Sequence, residues 1–246
     1  MIKFFRRIRQ NMIKENKVSK YLLYAIGEIM LVVIGILIAV SINSWNEERK
    51  SKKVEIEVLK SLSHDVEKDS YELQKIDSLY QIDILKLNKA YDLITKGHLT
   101  QEESLNLKYL GVTLIDFNPR LKSYDEMIHS GKIYYLSNRL LVENIIDYYE
   151  EIEDLIYETR QARNEFRAVL YGPHLNDFWL THNYSDPNYT NHVYNFYNNP
   201  DAKEYRILKQ ISSWSVILGQ EFQTKASNLT DTNRSLFKKI EAEIAD

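Results

Sequence analysis

Two short patterns in the chain have the residue types and spacing of metal chemistry. Glu126-x-x-His129 places a carboxylate and an imidazole one helical turn apart, the single-helix half of a carboxylate-bridged two-metal site. Such a site needs a second copy and two further glutamates, and the chain holds no second copy; the plainer reading is a capped surface turn. His174, His182 and His192 lie near Asp177 and Asp186, a loose spacing in a loop that chance also produces. None of the six histidines forms the His-Glu-x-x-His arrangement that sets two ligands and a base on one helical face. Ser235-x-x-Lys238 is a short coincidence on a surface face. The seven glycines are dispersed, so there is no phosphate-cradling loop, and no serine stands in a nucleophile-elbow context. With no cysteine, thiolate ligands, thiol nucleophiles and disulfides are excluded. The reading is of a protein that is not an enzyme, with no catalytic residue, metal or cofactor.

One titratable residue remains whose position is unusual. From Tyr21 to Ile42 there are 22 residues with a single charge, Glu28. At about 1.5 Å of rise per residue they span roughly 33 Å of helix, enough to cross a hydrocarbon core of about 30 Å. Residues 21–45 are therefore expected to form a transmembrane helix, with Trp45 anchoring its end at the interface. On a helical wheel Ala25, Glu28, Gly35, Ala39 and Asn46 fall within about 80° of one another. Ile29, Met30, Val33, Ile34, Ile36, Leu37 and Val40 take the other side. Gly35-x-x-x-Ala39 is a small-xxx-small pair that lets helices approach closely, and an intramembrane carboxylate usually faces protein or water. Both features select one face, which makes it a candidate surface for self-association or for another membrane protein. The alternative is a monomeric anchor whose Glu28 is protonated or solvated by local thinning.

Charge sets the orientation. Residues 1–20 carry seven basic side chains against Glu15, whereas residues 46–246 carry 25 basic and 33 acidic ones. A short basic segment before a span predicts a cytoplasmic N-terminus. The acidic body then lies across the membrane, in the periplasm of a bacterial cell, and an acidic body does not suit nucleic-acid binding. A cleaved signal peptide is the rival, since Ile29–Val40 has the length of its apolar core and Ala39-Val40-Ser41 loosely fits a cleavage site. The long basic lead and the charged helical sequence after Trp45 favour a retained anchor.

Beyond the span, residues 46–246 read as an all-α domain, because 7 Gly and 4 Pro in 246 residues leave little material for turns. Val54, Val58, Leu59, Leu62, Val66, Leu73, Ile76, Tyr80, Ile84, Leu87, Tyr91 and Ile94 keep helical spacing, which predicts a long helix over 51–96 interrupted by Asp69. Leu79, Ile82, Leu85 and Leu93 add a second apolar face, so this end is expected to pack more deeply. Lys96-Gly97 stops the helix. Thr100 and Glu103 form a capping box for a short helix over 101–110. Ser123 can cap another over 124–130, ended by Gly131. Ser137 or Asn138 caps a long helix over 139–170, with Leu140, Leu141, Ile145, Tyr148, Tyr149, Ile152, Leu155 and Ile156 on its inner face. Residues 171–200 hold three of the four prolines and read as a loop. Their aromatic and amide side chains suit a sugar or peptide, or simply an ordered connection. A last helix is expected over 201–245, with inner positions that include Ile217 and room for a break at Asn228–Thr230. Three long helices joined in this way make an antiparallel bundle.

The segments MIKFFRRIRQ, KYLLYAIGEIMLVVIGILIAVSINSWNEERK and SYDEMIHSGKIYYLSNRLLVENIIDYYEE resemble an uncharacterised family of small Bacteroidota membrane proteins, a domain of unknown function. The resemblance implies an N-terminally anchored helical protein of the inner membrane and brings no activity or cofactor. The expected function is that of a structural or assembly subunit of a cell-envelope complex. The alternative is a periplasmic ligand-binding sensor that signals through a separate membrane partner.

Overall fold

The computed structural model describes residues 18–107, 113–173, 194–195 and 197–245, and among these every regular element is helical. The basic segment 1–17, most of the 171–200 loop and the three loop histidines lie outside them. The helices whose bounds lie among the described residues are α1 (Val18–Lys96), α2 (Gln101–Asn106), α3 (Lys122–His129), α4 (Arg139–Leu170) and α5 (Lys203–Ala245), with a 3-10 turn at Lys132–Tyr135 between α3 and α4. The chain divides into two compact units, Met1–Glu55 and Ile56–Asp246, and α1 contributes to both.

From Leu22 to Ile42, within the first unit, α1 is apolar on nearly all sides. Its most apolar 18-residue window has a mean hydropathy of 2.6 with none of it buried. Leu31 is 74% exposed, and Leu23, Ile29 and Ile42 are each above 60%. A helix with no polar face to offer water is stable in lipid or against other protein, because its backbone bonds are all internal. This is the one helix among the described residues long and apolar enough to cross a membrane. Helix continues through Asn46–Lys50 without interruption. Those residues are competent helix formers, and Lys50 pairs with Glu47 one turn away at 3.2 Å.

The second unit is a bundle built on one buried stripe of α1. Leu59, Leu62, Val66, Leu73, Ile76, Tyr80, Leu87 and Ile94 are each at most 4% exposed. Cross-helix contacts give the direction of α5. Ser63 pairs with Glu241, the Val66 carbonyl accepts from Asn233 (2.9 Å), Asp77 accepts from Gln223 (3.0 Å) and the Ile94 carbonyl from the Tyr205 hydroxyl (2.6 Å). Each step forward along α1 is a step back along α5. The same holds between α4 and α5, through Asn138 with Glu243 (2.7 Å), Asn144 with Lys239 (2.6 Å), Glu158 with Lys225, and the Phe166 and Trp214 rings 5.7 Å apart. Helix α5 is thus antiparallel to both of its long neighbours.

Several expectations are corrected. Leu79, Ile82 and Leu85 are 40%, 50% and 72% exposed, so this part of α1 has no second packed face. They lie 100° or more around the helix from the line through Tyr80, and that single line is what the bundle covers. Leu140 is 67% exposed because Leu141 and Val142 take the buried positions in the first turn of α4. Helix α5 has no break at Asn228–Thr230: the Thr230 hydroxyl donates to the Ala226 carbonyl (2.7 Å) and stays within the helical ladder. Ser123 does not cap α3. That helix begins at Lys122 with no side-chain cap of its own, and Asp65 of α1 supplies an acceptor to its first turn instead.

Candidate functional site

The face that the helical wheel selects lies wholly on α1 in the first unit. Ala25 and Glu28 are half-exposed, and Gly35, Ala39 and Asn46 are exposed. A Cβ built on Gly35 meets nothing within 4 Å, so no other described part of the chain uses the close approach that a glycine there permits. The helical path of the backbone sets these five residues on one side, with Val32 among them and the other aliphatic side chains around the rest. The space beside Gly35 is open to a second helix.

Glu126 and His129 behave as a surface turn. The Glu126 carboxylate accepts from the Lys132 ammonium (2.6 Å), which holds its carboxyl below the ordinary value, and His129 Nδ1 lies 2.7 Å from the Asp125 carbonyl. Among the described residues no group of three or more His, Asp or Glu side chains is placed to hold a metal ion. Ser235 and Lys238 are exposed on α5. The group His174, His182, His192, Asp177 and Asp186 falls outside the described residues.

Within the bundle the spacing rules point to no polar system, yet one is present. Residues 113–121 run back along α1 outside any regular element, and 122–123 open α3, so their N–H groups have no ladder of their own. Side chains of α1 receive them in sequence. Thr113 N–H donates to Asp83 (2.8 Å), Ile115 N–H to the Tyr80 hydroxyl (3.1 Å) and Ser123 N–H to Asp65 (3.2 Å). Arg120 N–H reaches both Asp69 oxygens (3.2 and 3.1 Å), and the Arg120 guanidinium adds a 2.7 Å bond to the same carboxylate. From α4, Arg163 donates to the Leu114 carbonyl (2.8 Å) and to Asp116 (2.7 Å). Asp69 is fully buried. Burial pushes its carboxyl above the ordinary carboxylate value, against the downward pull of the Arg120 N–H and guanidinium. A charged residue on the apolar stripe was the signal that a partner existed; which residue it meets, 51 positions away, was not readable.

Deeper in the bundle, the Asn233 amide donates to the Val66 carbonyl and to the Tyr148 hydroxyl (2.8 Å), tying all three long helices at one level. Tyr149 stacks on Tyr124 at 4.0 Å and meets Tyr148 edge-on at 5.1 Å. Burial raises both tyrosines well above the ordinary phenol value, so they remain neutral packing groups.

A cleft of about 1200 Å³ lies where α4 ends and α5 begins. Ala168, Val169, Ile207, Ile211, Trp214 and Ile217 form its apolar walls, with Tyr91 of α1 beside them. Arg206, Lys209, Gln210 and Ser213 supply its polar groups, and Gly172 and Pro173 close one side. Gly172 is required there, since a Cβ would stand 2.7 Å from the Ala168 carbonyl. Periodicity gives no hint of the cleft, because Ile217 reads as an inner position and is 58% exposed along this wall.

A model of a family of unknown function (DUF6090) matches residues 28–183, and the chain belongs to that family. The match begins inside the apolar part of α1 and runs beyond the end of α4. No curated protein and no solved structure gives a significant match.

Proposed function

We propose that this family member is a non-enzymatic, single-span protein of the bacterial inner membrane. It has a cytoplasmic N-terminus and a periplasmic helical bundle, and it serves as a structural or assembly subunit of a cell-envelope complex. Association runs through the face of Ala25, Glu28, Gly35, Ala39 and Asn46, with a second copy or another membrane protein, while lipid covers the aliphatic side. The observation that carries the reading is that small and polar residues gather on one side of an otherwise apolar helix, with open space at Gly35. The seven basic residues of the first twenty support the orientation.

The absence of native cysteine makes the test direct. Single cysteines at Ala39 and at Leu37 are oxidised in native membranes, with and without Glu28→Leu and Gly35→Ile. Cross-links should form from Ala39 and not from Leu37, and the two substitutions should abolish them. Equal cross-linking from both positions, or cross-links that persist in the double variant, would remove the intramembrane interface.

A further inference from the structure

We propose that the cleft between the end of α4 and the start of α5 binds a single-chain anionic amphiphile, an alkyl chain carrying one carboxylate or phosphate. This goes beyond the assembly role and does not depend on it. The walls are apolar and partly open: Val169 and Ile217 are 42% and 58% exposed along the cleft, and their burial against an alkyl chain is favourable in proportion to the area covered. Trp214 gives the floor a rigid aromatic surface.

The charge is one-sided. Arg206 and Lys209 are both exposed, and among the described residues neither pairs with a carboxylate, whereas Arg163 and Lys225 are paired with Asp116 and with Glu158 and Glu221. No acid among the described residues lines the cleft. Two cations at an apolar trough select a ligand with an anionic end and an apolar body. Gln210 and Ser213 offer further hydrogen bonds to a headgroup and are too few to satisfy the backbone of a peptide.

The test uses the full chain in nanodiscs of zwitterionic lipid, labelled with a photoreactive palmitate and mapped by mass spectrometry. Adducts are expected in peptides holding residues 166–173 and 206–217. Excess palmitate or hexadecyl phosphate should displace them, and hexadecanol should not; the better anionic competitor identifies the headgroup. Arg206→Glu with Lys209→Glu should weaken labelling tenfold or more, and because both residues are exposed the variant keeps its fold, read as an unchanged circular dichroism spectrum. Ala168→Trp, which fills the trough and leaves the cations in place, should also block it. Labelling confined to residues 21–45 would show simple partition into the bilayer and overturn the proposal. Equal competition by hexadecanol, or labelling unaffected by charge reversal, would do the same.

Discussion

Removing the Arg120 side chain tests whether the bundle depends on Asp69 as a paired buried charge. Asp69 is fully buried, and Arg120 is its only cationic partner among the described residues. Arg120→Met keeps an aliphatic stem of similar reach and deletes the guanidinium. Breaking a fully buried pair by removing one partner costs about 3–5 kcal/mol, because the other charge stays behind uncompensated. Two features reduce that figure. The Arg120 side chain is 39% exposed, so water already shares in solvating the pair, and the Arg120 N–H continues to donate to both Asp69 oxygens in the variant. The expected cost is about 2–3 kcal/mol, or about 5–10 °C in melting temperature for a unit of this size.

The cost also depends on pH, with a determinate sign. Burial already raises Asp69, and Arg120 is what holds it down. Without the guanidinium the folded value rises further, and the variant can take up a proton that the parent does not. The variant's deficit is therefore fully present above both folded values and shrinks as pH falls through them. Thermal unfolding of the full chain in nanodiscs, followed by far-ultraviolet circular dichroism from below the ordinary carboxylate value up to neutral pH, reads both quantities. Asp69→Asn with and without Arg120→Met supplies the control, since neither protein has a carboxylate at 69 to titrate and the difference between them should be flat. A deficit below about 0.5 kcal/mol, or one of about 2–3 kcal/mol that does not move with pH when the control is also flat, would refute the reasoning.

Two further perturbations probe other parts of the bundle. Asn233→Leu removes the amide that donates to the buried Tyr148 hydroxyl and adds a second bond to the Val66 carbonyl, and should cost about 1–3 kcal/mol in urea unfolding; a neutral result would mean that water or a relaxed geometry satisfies the hydroxyl. Thr100→Ala removes the Oγ1 that accepts from Glu103 N–H (3.1 Å) and should cost about 1 kcal/mol, read as faster amide exchange at the start of α2. The Thr100 N–H, with the Lys96 ammonium beside it, holds the Glu103 carboxyl below its ordinary value, so its support for this turn is present above that value and fades as pH falls through the lowered one.

The legible features are those that depend on neighbours within one turn. Thr100 and Glu103 satisfy each other's backbone as the capping box requires, and Asn138 accepts from Leu141 N–H at the start of α4 (3.1 Å). Gly97 takes the left-handed conformation, φ 78°, just past the end of α1. The apolar stripe of α1 is buried because a period of 3.6 residues reports a face directly. The features that escape the sequence depend on which other segment covers that face. Leu79, Ile82 and Leu85 have the right residue type and stay exposed. Ser123 has the side chain of a cap, yet the acceptor comes from Asp65 on another helix. The cleft has no sequence signal at all, since it is a consequence of where two helices stop.

The same limit separates the two parts of α1. From Tyr21 to Ile42 the helix is apolar on nearly every side, and a single glutamate with small neighbours is its one charge. Beyond Val54 it is apolar on one stripe, and Asp69 is a fully buried carboxylate on that stripe. Both carboxylates lie where an apolar residue would be the default, and desolvation of the charged form is costly at each. For Asp69 the bundle offsets that cost by covering the carboxylate with the Arg120 N–H and guanidinium. Glu28 is half-exposed on the face of small residues, and the space at Gly35, two turns further on, is open. A second helix packed against that face would cover the exposed part of the Glu28 carboxylate with protein in place of hydrocarbon. The cross-linking experiment therefore asks whether the principle seen at Asp69, a carboxylate kept in an apolar surface by what packs over it, also operates in lipid.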